Sequence, residues 1–306
     1  MGREIKQMDI DIMAFLKGGM IQWRKKERCK MKKWDGHTHT EFCPHGSGDG
    51  VEAMIEKAIT LGFTDYSITE HPPMPVAFEA VIANRVEDIA TAAIRWDQLD
   101  AYFQHAHAMK RKYKDQIRIH VGLEVDFLPG FEADTRALLK EYGSQMDDGV
   151  LSLHFMPGVD GWRFIDFSAE DFKTGILAYY NDFEAIQKAY YALIRESLFA
   201  DLGPAKPMRL GHISLCQKFQ RFFLEEETGM GSVVRQQVSD LLKDVKANGY
   251  QLDWNTAGLY KEYCGETYPS LDVIQEARRL GIELVYGSDA HSLADVGRGY
   301  DYYEQN

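Results

Sequence analysis

The chain has 306 residues, 45% of them hydrophobic, and a formal net charge of −12. That length allows one large core or two modest ones, and the acidic balance gives no general attraction for nucleic-acid backbones, although bound divalent cations would reverse the field locally. Four cysteines, Cys29, Cys43, Cys216 and Cys264, with no CxxC pair indicate neither a disulfide framework nor a thiolate zinc site. No apolar run nears the roughly 20 residues needed to span a bilayer, and the N-terminus lacks the pattern of an export signal, so the expected compartment is the cytoplasm.

In chain order, residues 1–30 read as an extension, with a brief apolar stretch from Ile12 to Ile21 and a basic run, WRKKERCKMKK, from Trp23 to Lys33. An ordinary helix, a basic arm or a misassigned start ahead of Met31 would each account for it. Residues 31–306 are expected to form the functional domain, with everything before Met31 dispensable for folding and turnover.

From Lys32 onward, β-like runs alternate with amphipathic helical segments, the pattern of a parallel sheet built from βα units. Seven strands are predicted, over Trp34–Thr38, Tyr66–Thr69, Ile117–Val125, Val150–His154, Arg209–Ile213, Gln251–Asn255 and Glu283–Ser288. Val51, Met54, Ile55, Ala58 and Ile59 make one apolar helical stripe, and Val234, Val238, Leu241, Leu242 and Val245 make another, both suited to pack on a barrel. Two long connections, Pro72 to Gln116 and Met156 to Met208, have the length of loops that cover an active site, with helices predicted near Glu87–Lys114 and Tyr180–Phe199.

Candidate metal ligands cluster at the C-terminal ends of these strands, where barrel enzymes assemble their sites. His37 and His39 form an H-x-H pair, and residues two apart on a strand point to the same side. His71 follows the second strand, Glu124 lies in the third, His154 and His212 end the fourth and fifth, and Asp289 and His291 form a D-x-H pair after the seventh. His45 sits in a Gly-rich turn, CPHGSGDG. Imidazoles combined with carboxylates suit zinc, iron or manganese. His105, His107 and His120 lack this placement and read as surface or packing residues. Glu70 reads either as a group orienting a ligand or as a structural residue, and Cys43 as a packed thiol, since no base accompanies it.

The segments DGHTHTEFCPHGSG, SITEHPPMP, GLEVDFLPG, SLHF, GHISL, LDWNTAGLY and YGSDAH resemble successive motifs of the PHP (polymerase and histidinol phosphatase) family, in order, over almost everything from Lys32 to His291. EHPPMP, GLEVDFLPG and NTAGLY are similar to its histidinol-phosphate phosphatase branch. The resemblance implies an α/β fold of the distorted (β/α)7, TIM-like barrel type, three divalent metal ions (Zn, Mn or Fe), and hydrolysis of L-histidinol phosphate in histidine biosynthesis. Carried over residue by residue, it implies His37, His39, Glu124 and Asp289 around one metal, His154 and His212 with a bridging Glu124 around the second, and His45, His71 and His291 around the third. The short tail after His291 leaves little chain for a closing helix.

Phosphate ester hydrolysis needs a strong nucleophile, neutralisation of the equatorial oxygens and help for an alkoxide leaving group. A metal cluster meets all three needs by supplying a hydroxide for in-line attack on phosphorus. Glu124 and Asp289 are the candidate catalytic groups, the second also orienting the nucleophile. Arg195 and Arg221, ahead of Arg163, are the candidate phosphate-binding residues because they flank the strand carrying His212. The expected partner is a small phosphate ester rather than nucleic acid or membrane. The alternatives are a PHP-type phosphodiesterase or exonuclease, a phosphatase for another small ester, and a scaffold that has lost catalysis. An extended basic, aromatic groove would favour the nuclease.

Overall fold

A computed structural model describes residues 32–306, so the extension read at residues 1–30 lies outside the described residues. Seven strands run parallel in the order β1 (Trp34–Asp35), β2 (Asp65–Glu70), β3 (Arg118–Asp126), β4 (Asp148–Ser152), β7 (Arg209–Leu210), β8 (Gln251–Asn255) and β9 (Leu284–Gly287). The seam is drawn together by the Gly36 N–H donating to the Tyr286 carbonyl at 2.8 Å and by a parallel bridge between Thr38 and Ala290. The result is a nearly closed barrel wrapped by helices, the architecture expected from the sequence.

Both predicted stripes face that barrel. Val51, Met54, Ile55 and Ala58 of helix Val51–Thr60 are buried and Ile59 partly so, while Val234, Val238, Leu241, Leu242 and Val245 of helix Ser232–Ala247 are all buried. Each large aliphatic side chain withdrawn from water in this way contributes about 1.5–3 kcal/mol. The floor of the barrel is polar. Arg209, almost fully buried, donates to the Gly36 carbonyl at 2.7 Å and to Asp148 Oδ2 at 2.8 Å, with its guanidinium 5.0 Å from the Trp34 ring centre.

Departures from the predicted elements have local causes. The fifth predicted strand stops at Leu210 because His212 takes a φ of +23°. A Cβ at Gly211 would lie 2.2 Å from Ser152 Oγ, so only glycine lets this strand end close against β4. The first long connection holds its main helix at Leu99–Tyr113 rather than from Glu87, with Ile94 tied back to the His71 carbonyl at 3.2 Å. The second begins with an unpredicted hairpin, β5 (Phe155–Gly158) and β6 (Gly161–Phe164). Its helix starts at Phe183 because Asn181 is left-handed (φ +73°) and Asp182 accepts from the Ala185 N–H at 2.7 Å. Asp182→Ala is therefore expected to lower the unfolding free energy by about 1 kcal/mol, read as a shift in urea midpoint at constant slope. The short tail still forms a helix, Tyr300–Gln305, whose Tyr300 and Tyr303 pack on Tyr286 and Trp254.

Candidate metal centre

All nine sequence-predicted ligands converge at the C-terminal mouth of the barrel. Glu124 stands in the middle, almost fully buried on β3. Its Oε2 lies 3.0 Å from His37 Nε2, 3.3 Å from His39 Nε2 and 3.3 Å from His71 Nδ1. Its Oε1 lies 2.8 Å from His212 Nε2 and 3.6 Å from His154 Nε2, and accepts from Ser152 Oγ at 2.6 Å. Asp289 faces the same ring nitrogens from the other side, with Oδ1 3.3 Å from His39 Nε2 and 3.8 Å from His37 Nε2, and accepts from Asn255 Nδ2 at 3.1 Å. His45 and His291 bring their Nε2 atoms within 2.9 Å of each other.

The donor set fits divalent cations. The buried Nε2 atoms of His37 and His39 and Nδ1 of His212 have no hydrogen-bond partner among the described residues. Several ligand-atom groups, among them His37, His39 and Glu124, or His71, Glu124 and His154, lie within 4.8 Å of one another. The outward nitrogens are meanwhile anchored: His37 Nδ1 on Asp253 Oδ2 at 2.8 Å, His39 Nδ1 on Glu70 Oε1 at 3.1 Å, His154 Nδ1 on Asp126 Oδ1 at 2.9 Å and His45 Nδ1 on the Thr91 carbonyl at 2.7 Å. Fixing one ring nitrogen through an acceptor so that the other faces inward is how proteins hold metal-ligating histidines.

Electrostatics divide the inner rings from the outer ones. Burial opposes charge on Glu124 and Asp289, yet the facing imidazoles, His37 foremost, hold both carboxyls well below the usual range. Burial likewise opposes charge on His37 and His39, but the surrounding carboxylates lift both well above the ordinary histidine value. The outer rings of His45, His71 and His291 go the other way, pushed down chiefly by burial, and are neutral imidazoles ready to donate a lone pair.

The other sequence expectations divide. Glu70 is the orienting group for His39, and also accepts from Thr40 Oγ1 at 2.6 Å. Cys43 is buried, which pushes its thiol up to about 12. His105 pairs with Glu41 at 3.1 Å, and His120 lies 3.0 Å from Asp65 Oδ1 and packs on Trp34, both away from the centre. The three candidate arginines stand apart from this cluster. Arg195 lies near the C-terminal end of its helix, where the next strand begins on the opposite side of the barrel, and its Nε is bound to Asp244 at 2.6 Å. Arg221 lies over Gly265 and donates to its carbonyl at 3.2 Å, and Arg163 is held by Asp171 at 3.1 Å. None of the three lines the cavity of about 370 Å³ above the ligands. Its cations are Lys218 and Lys261, and Asp166, Phe164, Phe167 and Tyr268 complete much of its wall.

Sequence reasoning missed two of the anchoring carboxylates, Asp126 and Asp253, although a signal existed. Asp126 and Asp253 each stand two residues from a site-facing group, Glu124 and Asn255, and so share its face of the strand. Lys218 carried no such signal, because it reaches the cavity from a 3₁₀ turn, Leu215–Gln217, that folds back after His212.

A barrel of seven parallel strands with imidazoles and carboxylates gathered at its C-terminal mouth defines a metal-dependent hydrolase. The PHP domain model matches residues 35–257, a PHP-associated segment matches residues 272–304, and the chain belongs to the PHP domain family. It is similar to the histidinol-phosphatase of Bacillus subtilis, 38% identical over 273 residues that cover 89% of this chain and 98% of the relative. A candidate histidinol phosphatase from Listeria monocytogenes superposes with a TM-score of 0.87 at 50% identity, covering 89% of this chain and 100% of that one. A histidinol phosphate phosphatase from Lactococcus lactis, complexed with zinc, L-histidinol and phosphate, shares the fold at a TM-score of 0.63 and 17% identity, over 90% and 93% of the two chains.

Proposed function

We propose that this chain hydrolyses L-histidinol phosphate to L-histidinol and phosphate with a cluster of divalent cations. The observation that carries the reading is the inward convergence of imidazole nitrogens on Glu124 and Asp289, in a chain 38% identical to a histidinol-phosphatase over nearly its whole length. Three ions of zinc, manganese or iron fit nine donors: His37, His39, Glu124 and Asp289; His154 and His212 with the shared Glu124; and His45, His71 and His291. Elemental analysis after anaerobic purification is expected to give about three equivalents per chain, and a reproducible content near one would remove the trinuclear reading. The three described cysteines are free and buried, which accords with a reducing compartment such as the cytoplasm.

Bound divalent cations supply a water molecule of lowered pKa and neutralise charge on the phosphoryl oxygens. The chain's own residues do the rest. Asp253, Glu70 and Asp126 fix the rings of His37, His39 and His154 before substrate arrives, so little reorganisation is needed during the reaction. Asn255 holds one Asp289 oxygen and leaves the other facing the imidazoles, where it can orient an attacking water. Lys218 and Lys261 on the cavity wall take the role first sought among the arginines, attracting the dianionic phosphate as point charges. Phe167, exposed on the cavity wall, offers an aromatic face to an imidazole.

Comparing kcat/KM for histidinol phosphate, an aryl phosphate and a dinucleotide tests the assignment. Histidinol phosphate is expected to lead by about 10²-fold or more, because contacts to its remote end position phosphorus for attack. Equal rates on the first two would leave a general phosphatase, and a lead for the dinucleotide would move the chain to the nuclease reading.

A further inference from the structure

Asp166 and Lys218 form a buried-edge ion pair on the cavity wall, and nothing in the metal site calls for the carboxylate. Lys218 Nζ donates to Asp166 Oδ2 at 2.9 Å and to the Asp166 carbonyl at 2.7 Å. Both side chains remain partly open, 28% for Asp166 and 18% for Lys218, and both line the cavity together with His154 and His212. Burial opposes ionisation of Asp166, but Lys218, bonded to its side chain, holds the carboxyl far below the usual range.

From this arrangement we propose that Asp166 is the receptor for the substrate's ammonium group, and that the Asp166–Lys218 pair selects phosphomonoesters bearing a primary amine on the carbon next to the ester carbon. The inference rests on the hydrolase reading above and names the feature of the alcohol that the site recognises. In histidinol phosphate the phosphate and the ammonium are neighbours of opposite sign, as Lys218 and Asp166 are on the wall. A phosphate seated above the ligands draws on Lys218, leaving Asp166 without its full counter-charge in a partly desolvated setting. An ammonium on the adjacent carbon restores that charge, whereas a neutral alcohol leaves a carboxylate uncompensated, which is the costly condition. Phe167, the next residue along, is 44% exposed and lines the same cavity, so an imidazole one methylene beyond the amine has an aromatic face beside it.

The test is a cycle between one residue and one substrate group. Histidinol phosphate and its desamino analogue, identical but for the amine, are compared on the metal-loaded wild-type chain and on Asp166→Asn, with metal content and circular dichroism recorded for each. The wild-type chain is expected to prefer the amine by about tenfold to a hundredfold in kcat/KM, and Asp166→Asn to bring that ratio close to one. A merely structural role for Asp166 would depress both substrates together and leave the ratio in place, which overturns the proposal. So does a wild-type chain indifferent to the amine. If Asp166→Asn fails to fold, Asp166→Ser provides the same ratio. Failure of the enzyme reading is a separate result, seen when wild-type protein hydrolyses neither compound better than a simple aryl phosphate.

Discussion

Replacing Glu124 with Gln is expected to cut kcat for phosphomonoester hydrolysis by about 10³-fold or more, with a matching loss of bound metal. Five imidazoles, those of His37, His39, His71, His154 and His212, lie against its two oxygens. The side chain is 1% exposed, so no water can substitute for its charge. Burial alone would favour a protonated carboxyl, but the facing histidines keep it ionised. An amide of nearly the same shape keeps the packing and one acceptor, yet it removes the charge and turns an NH₂ group toward ring nitrogens that must donate lone pairs. The change should therefore act on metal content and turnover far more than on the fold. His105→Ala, by contrast, removes a half-buried partner of Glu41 outside the centre and should alter kcat by less than about threefold. The measurement is kcat with elemental analysis and thermal unfolding on the same preparations. A Glu124→Gln chain with a full complement of metal and near-normal turnover would show that the carboxylate does not bridge.

Why the candidate ligands were legible and the cations of the cavity were not follows from how each is placed. His37, His39, Glu124 and His154 lie on or just beyond strands, where a period of two fixes which side chains share a face, so sequence spacing translates directly into space. Two ligands needed more than a strand: His212 and Asp289 sit at positive φ, +23° and +53°, which turns them across the mouth after β7 and β9 have ended. That strain was invisible in the sequence, and it shortened two predicted strands without moving their ligands away. Arg195 lies away from the cluster for the opposite reason. It is near His212 along the chain, but the helix that carries it runs down the outside of the barrel, so nearness in sequence meant the opposite face in space. Lys218 came from a tight turn whose direction depends on tertiary contacts such as its own bond to Asp166.

Two residues before His37, at the end of β1, Asp35 should make the metal-free chain lose stability as the pH rises from about 4 to about 7. Its carboxyl is fully buried, Oδ1 accepts from the Ser288 N–H at 3.0 Å, and Oδ2 has no hydrogen-bond partner among the described residues. Burial is the largest influence and raises its pKa, only partly opposed by the bonds to Ser288 and the charge of His37, so the group is pushed up from 3.8 to about 7. Below 3.8 the folded and unfolded chains both carry this proton and the group contributes no difference. Between 3.8 and about 7 the folded chain keeps the proton that the unfolded chain has released, so folding is favoured progressively less as pH rises. At 1.36 kcal/mol per unit the accumulated loss is on the order of 4 kcal/mol, and above the folded value it stays constant. Asp35→Asn removes the titration while keeping an acceptor for Ser288. Its NH₂ group brings a pH-independent cost of about 1–3 kcal/mol if it finds no partner, so the slope and not the absolute stability is diagnostic. Urea unfolding of both chains across this range, after metal removal because a cation at His37 would itself drive the proton off Asp35, should show the variant gaining steadily on the wild type. Parallel stability curves would mean that Asp35 is already ionised throughout.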